Sequence, residues 1–105
     1  MQRPIDVFRP AGSALPIVID SPHSGTDYPE DFGARVQPPL LRRGEDTHVD
    51  RLWGSAPRHG AVLIAARFPR AYIDPNRSLE DVDEALLDEP WPGPVVRSAK
   101  TELGV

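Results

Sequence analysis

The sequence predicts an α/β chain, with a partial mixed or parallel sheet and a packing helix, on three observations. Two short apolar runs, Leu15 to Ile19 and Ala61 to Ala66, read as buried strands because each is too short for a helix and the first is dominated by β-branched residues. Between them Val49, Leu52, Trp53 and Ala56 recur at helical spacing and form an apolar stripe. Strand, helix and strand in that order is the pattern of a parallel pair joined by a crossover.

Along the chain, Ile5 to Phe8 is a weaker strand candidate, followed by the turn signal Pro10-Ala11-Gly12-Ser13. The first apolar run ends at Asp20-Ser21-Pro22-His23-Ser24-Gly25, a small-residue loop at a strand's C-terminal end, where open α/β sheets bind ligands. Residues 26–45 read as loop with one short helical turn, since Pro29, Gly33, Pro38, Pro39 and Gly44 interrupt any longer pattern. The helix then starts with Asp46 or Thr47 as N-cap and stops at Gly60. After the second buried strand, Ala71 to Asp74 reads as a shorter strand leading into Pro75-Asn76-Arg77. Residues 78–94 are acidic, with Pro90, Pro92 and Pro94 around Trp91 and Gly93, and read as an exposed loop. Ser98 to Leu103 marks the start of a further element, with no closing cap after it. Parallel sheets are normally covered on both faces, so two or three strands with one helix predict that residues 1–105 continue into a larger domain.

Composition narrows the function. The chain has no cysteine, so any metal site must use histidine and carboxylate oxygen. Twelve Lys and Arg against sixteen Asp and Glu give a net charge of -4, which argues against a nucleic-acid partner bound through its phosphates. Neither a signal-peptide core nor a run of roughly 20 apolar residues is present, so no membrane association and a cytoplasmic location are expected. No GxxxxGK phosphate loop and no GxSxG elbow occurs, which disfavours nucleotide hydrolysis and serine-esterase chemistry.

Three segments carry candidate chemistry. His23 sits on a tight turn after the first buried strand, among small neighbours that let a metal or substrate approach; an ordinary loop histidine is the plain alternative. Glu45, Asp46 and Asp50 fall at the start of the predicted helix, where carboxylates commonly act as caps or dipole partners. Asp46 and Asp50 are four positions apart and would share a helix face, one coordinating a metal and the other orienting a ligand. His48 points elsewhere and is expected to be exposed or to sit behind a ligand as support, and His59 suits the helix C-terminus. Asn76 and Arg77 leave a strand end with amide donors and a planar guanidinium that matches a carboxylate bidentately; a salt bridge from Arg77 to Asp74 or to a loop acid is the alternative. For Arg70 a structural ion pair is the better account.

Pro22-His23-Ser24-Gly25, Glu45-Asp46-Thr47-His48-Val49-Asp50-Arg51-Leu52-Trp53 and Arg70-Ala71-Tyr72-Ile73-Asp74-Pro75-Asn76-Arg77 together resemble the N-formylglutamate amidohydrolases. The resemblance implies the N-terminal portion of a longer domain whose fold is similar to the zinc exopeptidases and aspartoacylase-like deacylases. It implies hydrolysis of N-formyl-L-glutamate to L-glutamate and formate, in histidine degradation, with zinc or another divalent metal as cofactor. Carried onto this chain, His23 is a metal ligand, Asp46 the second with Glu45 its competitor, and Asn76 and Arg77 grip the substrate carboxylate. Asp50, as a catalytic carboxylate, and Arg70, toward the substrate, play supporting parts. A further histidine ligand and a general-base glutamate are expected beyond Val105, so the isolated chain is expected to bind metal weakly and turn over little or no substrate. The competing readings are a deacylase or peptidase for another N-acyl amino acid, and a non-catalytic carboxylate-binding fragment.

Overall fold

Three strands, β1 (Ile5–Phe8), β2 (Val18–Ser21) and β3 (Val62–Ala66), form one sheet in the order β1-β3-β2. The computed structural model describes residues 3–96. The chain splits into two compact units, Met1–Tyr72 and Ile73–Val105, and the sheet lies in the first.

β3 is central because both of its edges are paired. β2 runs parallel to it, with Val18 opposite Val62 and Ser21 opposite Ala65; β1 runs antiparallel, with Ile5 opposite Ala66 and Phe8 opposite Leu63. The sheet is therefore mixed, one of the two forms expected. Leu63 and Ala65 are each 2% exposed, and with Ala61 and Ala66 they make the core of this unit. Arg67, just past β3, ties β1 to the loop after β2: its Nε stands 3.5 Å from both Asp6 Oδ2 and Asp27 Oδ2, and its carbonyl accepts the Asp27 amide at 2.9 Å.

The first apolar run departs from the expected buried strand. β2 starts only at Val18, and Leu15, Ile17 and Val18 are exposed. Pro16 has no N–H to give a ladder. The Leu15 amide instead donates to the Gly60 carbonyl at 2.8 Å and the Ile17 amide to the Leu15 carbonyl at 2.8 Å, a turn in place of a strand start.

The helical segment also differs. In place of the one short turn expected in the proline-rich loop, there is a 3-10 turn at Glu30–Phe32, helix α1 (Pro38–Leu41) and a 3-10 turn at Arg42–Gly44. The predicted long helix is broken into α2 (Val49–Leu52) and a 3-10 turn at Ala56–His59. His48, the residue before α2, has φ 66°, a left-handed conformation that separates Asp46 and Thr47 from the helix, so neither is its N-cap. Pro57 then prevents α2 from continuing, since a proline removes an amide and crowds the carbonyl four residues back. Gly60 does stop the segment, at φ 91°. The apolar stripe is only partly a packing face: Val49 and Ala56 are half-buried, but Leu52 is 77% and Trp53 49% exposed, and it is the Ala56–His59 turn that lies against β3.

Ala71 to Asp74 is not a strand. The Tyr72 amide closes a turn onto the Pro69 carbonyl at 3.0 Å, and the Tyr72 hydroxyl donates to the Asp31 carboxylate. In the second unit the acidic stretch is loop as expected, with one 3-10 turn, Glu84–Leu86, capped by the Asp83 side chain accepting from the Ala85 amide at 3.1 Å, but it is not exposed throughout: Asp81 and Val82 are buried. The element expected from Ser98 lies outside the described residues. Among the described residues no helix is long and apolar enough to cross a membrane.

Candidate functional site

The parallel register with β3 delivers the end of β2 to the buried turn Ser21 to Gly25. Two features of sequence fix it. The Ser21 and Ser24 hydroxyls share a hydrogen bond of 2.7 Å across the turn, both buried. Gly25 packs so closely on the Arg67 and Phe68 backbone that a Cβ there would collide with it. His23, between them, is 8% exposed.

Asp46 reaches His23 twice. Its amide donates to the His23 carbonyl at 2.9 Å, and its Oδ2 stands 3.4 Å from His23 Nδ1. The imidazole is buried while the Asp46 side chain is 56% exposed, so the pair opens to solvent on the carboxylate side. A direct N–H···O bond is normally 2.7–3.2 Å. Two ligands each about 2.0–2.1 Å from a tetrahedral zinc ion stand about 3.4 Å apart. The pair thus fits two corners of a nitrogen and oxygen metal site. Among the described residues no group of three or more His, Cys, Asp or Glu is placed to hold a metal ion.

Glu45 faces away from this pair. Its side chain is fully buried, with Oε1 accepting from the Tyr28 hydroxyl at 2.5 Å and Oε2 from Arg42 Nε at 3.3 Å. The Tyr28 phenol is pushed up to about 12, chiefly by burial, then by the hydrogen bond and the charge of Glu45, with Arg42 opposing. Asp50 is half-buried at the start of α2, and its Oδ1 accepts the Arg51 amide at 2.9 Å. Because Asp46 lies outside the helix, the shared helix face expected for Asp46 and Asp50 does not form. His48 and His59 are exposed, and Arg70 is half-buried in the turn after β3.

Asn76 and Arg77 belong to the second unit, where buried Asp74 organises them. The Asp74 carboxylate accepts the Asn76 amide at 2.9 Å, its carbonyl accepts the Arg77 amide at 3.2 Å, and Arg77 Nη1 donates to the Asn76 carbonyl at 2.8 Å. Three contributors escaped the sequence reading: Ser21, Tyr28 and Arg42. Nothing periodic marks Tyr28, whose partner is 17 residues away. The small-residue turn itself was the available signal for Ser21.

Residues 15–104 match the N-formylglutamate amidohydrolase family. The chain is also similar to the crystal structure of N-formylglutamate amidohydrolase from Ralstonia eutropha JMP134, with 61% identity and a TM-score of 0.85. That likeness covers 90% of this chain and 35% of that one, so the chain spans about a third of its relative's length. No curated protein matches. Fold and likeness together define a mixed α/β chain of the amidohydrolase class. It belongs to the N-formylglutamate amidohydrolase family.

Proposed function

We propose that this chain supplies the His23 and Asp46 ligands of a divalent metal, with zinc the best match to the donor set, in an enzyme that hydrolyses N-formyl-L-glutamate to L-glutamate and formate. The observation that supports it most is the 3.4 Å spacing of His23 Nδ1 and Asp46 Oδ2 on a buried turn at the sheet's C-terminal edge. When bound, such a metal supplies Lewis acidity toward the formyl carbonyl and toward water. His23 contributes a neutral nitrogen donor whose main chain is already fixed by the Asp46 amide, and Asp46 adds negative charge. Glu45 is left out of the ligand set, because both of its oxygens serve Tyr28 and Arg42. Asn76 and Arg77 bind the substrate carboxylate through amide and guanidinium donors, on a turn stiffened by Asp74. Asp50 and Arg70 support the site from α2 and from the turn after β3.

The test is zinc retention and formate release by this chain and by a family-length chain, each with and without His23→Ala. Weak zinc binding that disappears with His23→Ala is expected here, with formate release in the longer chain only. Zinc binding unaffected by His23→Ala would overturn the metal assignment.

A further inference from the structure

We infer that half-buried Tyr28 and exposed Arg42 clamp the buried Glu45 carboxylate, and that this clamp positions Asp46 against His23. Its consequence for a metal rests on the function proposed above. Glu45 and Asp46 are neighbours, and Glu45 has an extended backbone, φ -82° and ψ 143°. Successive side chains on extended backbone point to opposite sides. One points inward to Tyr28 and Arg42, and the next reaches His23.

A fully buried carboxylate is strongly disfavoured unless it is paired and hydrogen-bonded. Here both Glu45 oxygens are satisfied, by the Tyr28 hydroxyl and by Arg42 Nε. Tyr28 lies on the same loop as His23, so two rungs join that loop to the one carrying Asp46. One rung is Tyr28 to Glu45 through side chains, and the other is the Asp46 amide to the His23 carbonyl. Tyr28 is itself oriented by Phe32, whose ring meets it edge to face, 5.4 Å between centroids and 83° between planes. If Glu45 swung free, the Asp46 carboxylate would lose the reference that aims it at His23 Nδ1.

Tyr28→Phe removes one hydroxyl and keeps the ring against Phe32, and it can be compared with Glu45→Gln. The direct readout is hydrogen exchange at the Asp46 amide in the metal-free 105-residue chain, with the Leu63 amide of β3 as internal control. Tyr28→Phe is expected to speed exchange at Asp46 about tenfold, the effect of losing one hydrogen bond, and to leave Leu63 unchanged. Unchanged exchange at Asp46, or equal acceleration at Leu63, would overturn the clamp. Zinc titration is the second readout: both variants are expected to weaken zinc binding by about 10-fold to 100-fold, as residues that orient ligands do. Wild-type affinity in both variants also counts against the clamp. If the wild-type chain binds no zinc, the proposed function fails, while the exchange result still decides the clamp on its own.

Discussion

The Asp46 amide is bonded to the His23 carbonyl at 2.9 Å while the Asp46 carboxylate stands 3.4 Å from the His23 ring, so main chain and side chain of one residue address the same partner. The main-chain bond, beside the Tyr28 to Glu45 rung, does the holding. It sets the distance between two loops before either side chain meets a ligand, which separates the architecture of the site from its chemistry.

That separation predicts the behaviour of Asp46→Ala. The amide bond survives the substitution, and the lost carboxylate is more than half exposed, so the thermal midpoint should shift by no more than a surface ion pair is worth, about 1 kcal/mol or less. Zinc affinity should fall by at least a hundredfold, since one of two ligands is gone. A melting curve and a zinc titration on the same preparation check both halves, and a large stability loss with affinity intact would contradict this division.

The turn that carries His23 should be intolerant of a side chain at Gly25. Gly25→Ala drives a methyl group into the Arg67 and Phe68 backbone, which cannot move without disturbing the end of β3. A cost of about 1–3 kcal/mol, the range for overpacking, is expected in chemical denaturation. Gly12→Ala is the control: nothing lies within 4 Å of the added carbon, and the change should be neutral or slightly stabilising.

How legible these features were in the sequence depends on the range of the interactions behind them. β1 and β3 were readable because local composition decides them, and the His23 turn was readable because it follows an apolar run. The apolar run before Val18 misled, since Pro16 and the bond from Leu15 to Gly60 outweigh its strand character. The helix from residue 46 to 60 misled for a related reason: helical spacing of Val49, Leu52 and Trp53 says nothing about the left-handed His48 or about Pro57, which cut it short. The role of Glu45 was invisible, because its neighbours in sequence suggest a helix cap while its partner Tyr28 comes from a distant loop.

The same contrast separates two leucines. Leu63, 2% exposed at the centre of the sheet, should cost about 2–5 kcal/mol when changed to alanine. Leu52 belongs to the stripe that helical spacing singles out, yet it is 77% exposed, and Leu52→Ala should change stability by about 0.5 kcal/mol or less. Urea denaturation of the two variants compares them directly; equal losses would mean that α2 is packed in this chain as its spacing suggests.

The Tyr28 hydroxyl makes the chain sensitive to alkali in a defined window. Its folded value is pushed up to about 12, above the ordinary 10 of an unfolded tyrosine, because burial and Glu45 both oppose a phenolate. A raised folded value means that its stabilising contribution is complete below pH 10 and is lost as pH climbs from 10 through 12. Tyr72 is shifted in the same direction by its bond to Asp31, although it is exposed. Ultraviolet titration of phenolate absorbance should show delayed ionisation in the wild-type chain. In Glu45→Gln the Tyr28 component should move down toward 10, since the charge that opposes phenolate is removed while the residue's size is kept. A Tyr28 component that titrates near 10 in the wild-type chain would mean that the hydroxyl does not face Glu45.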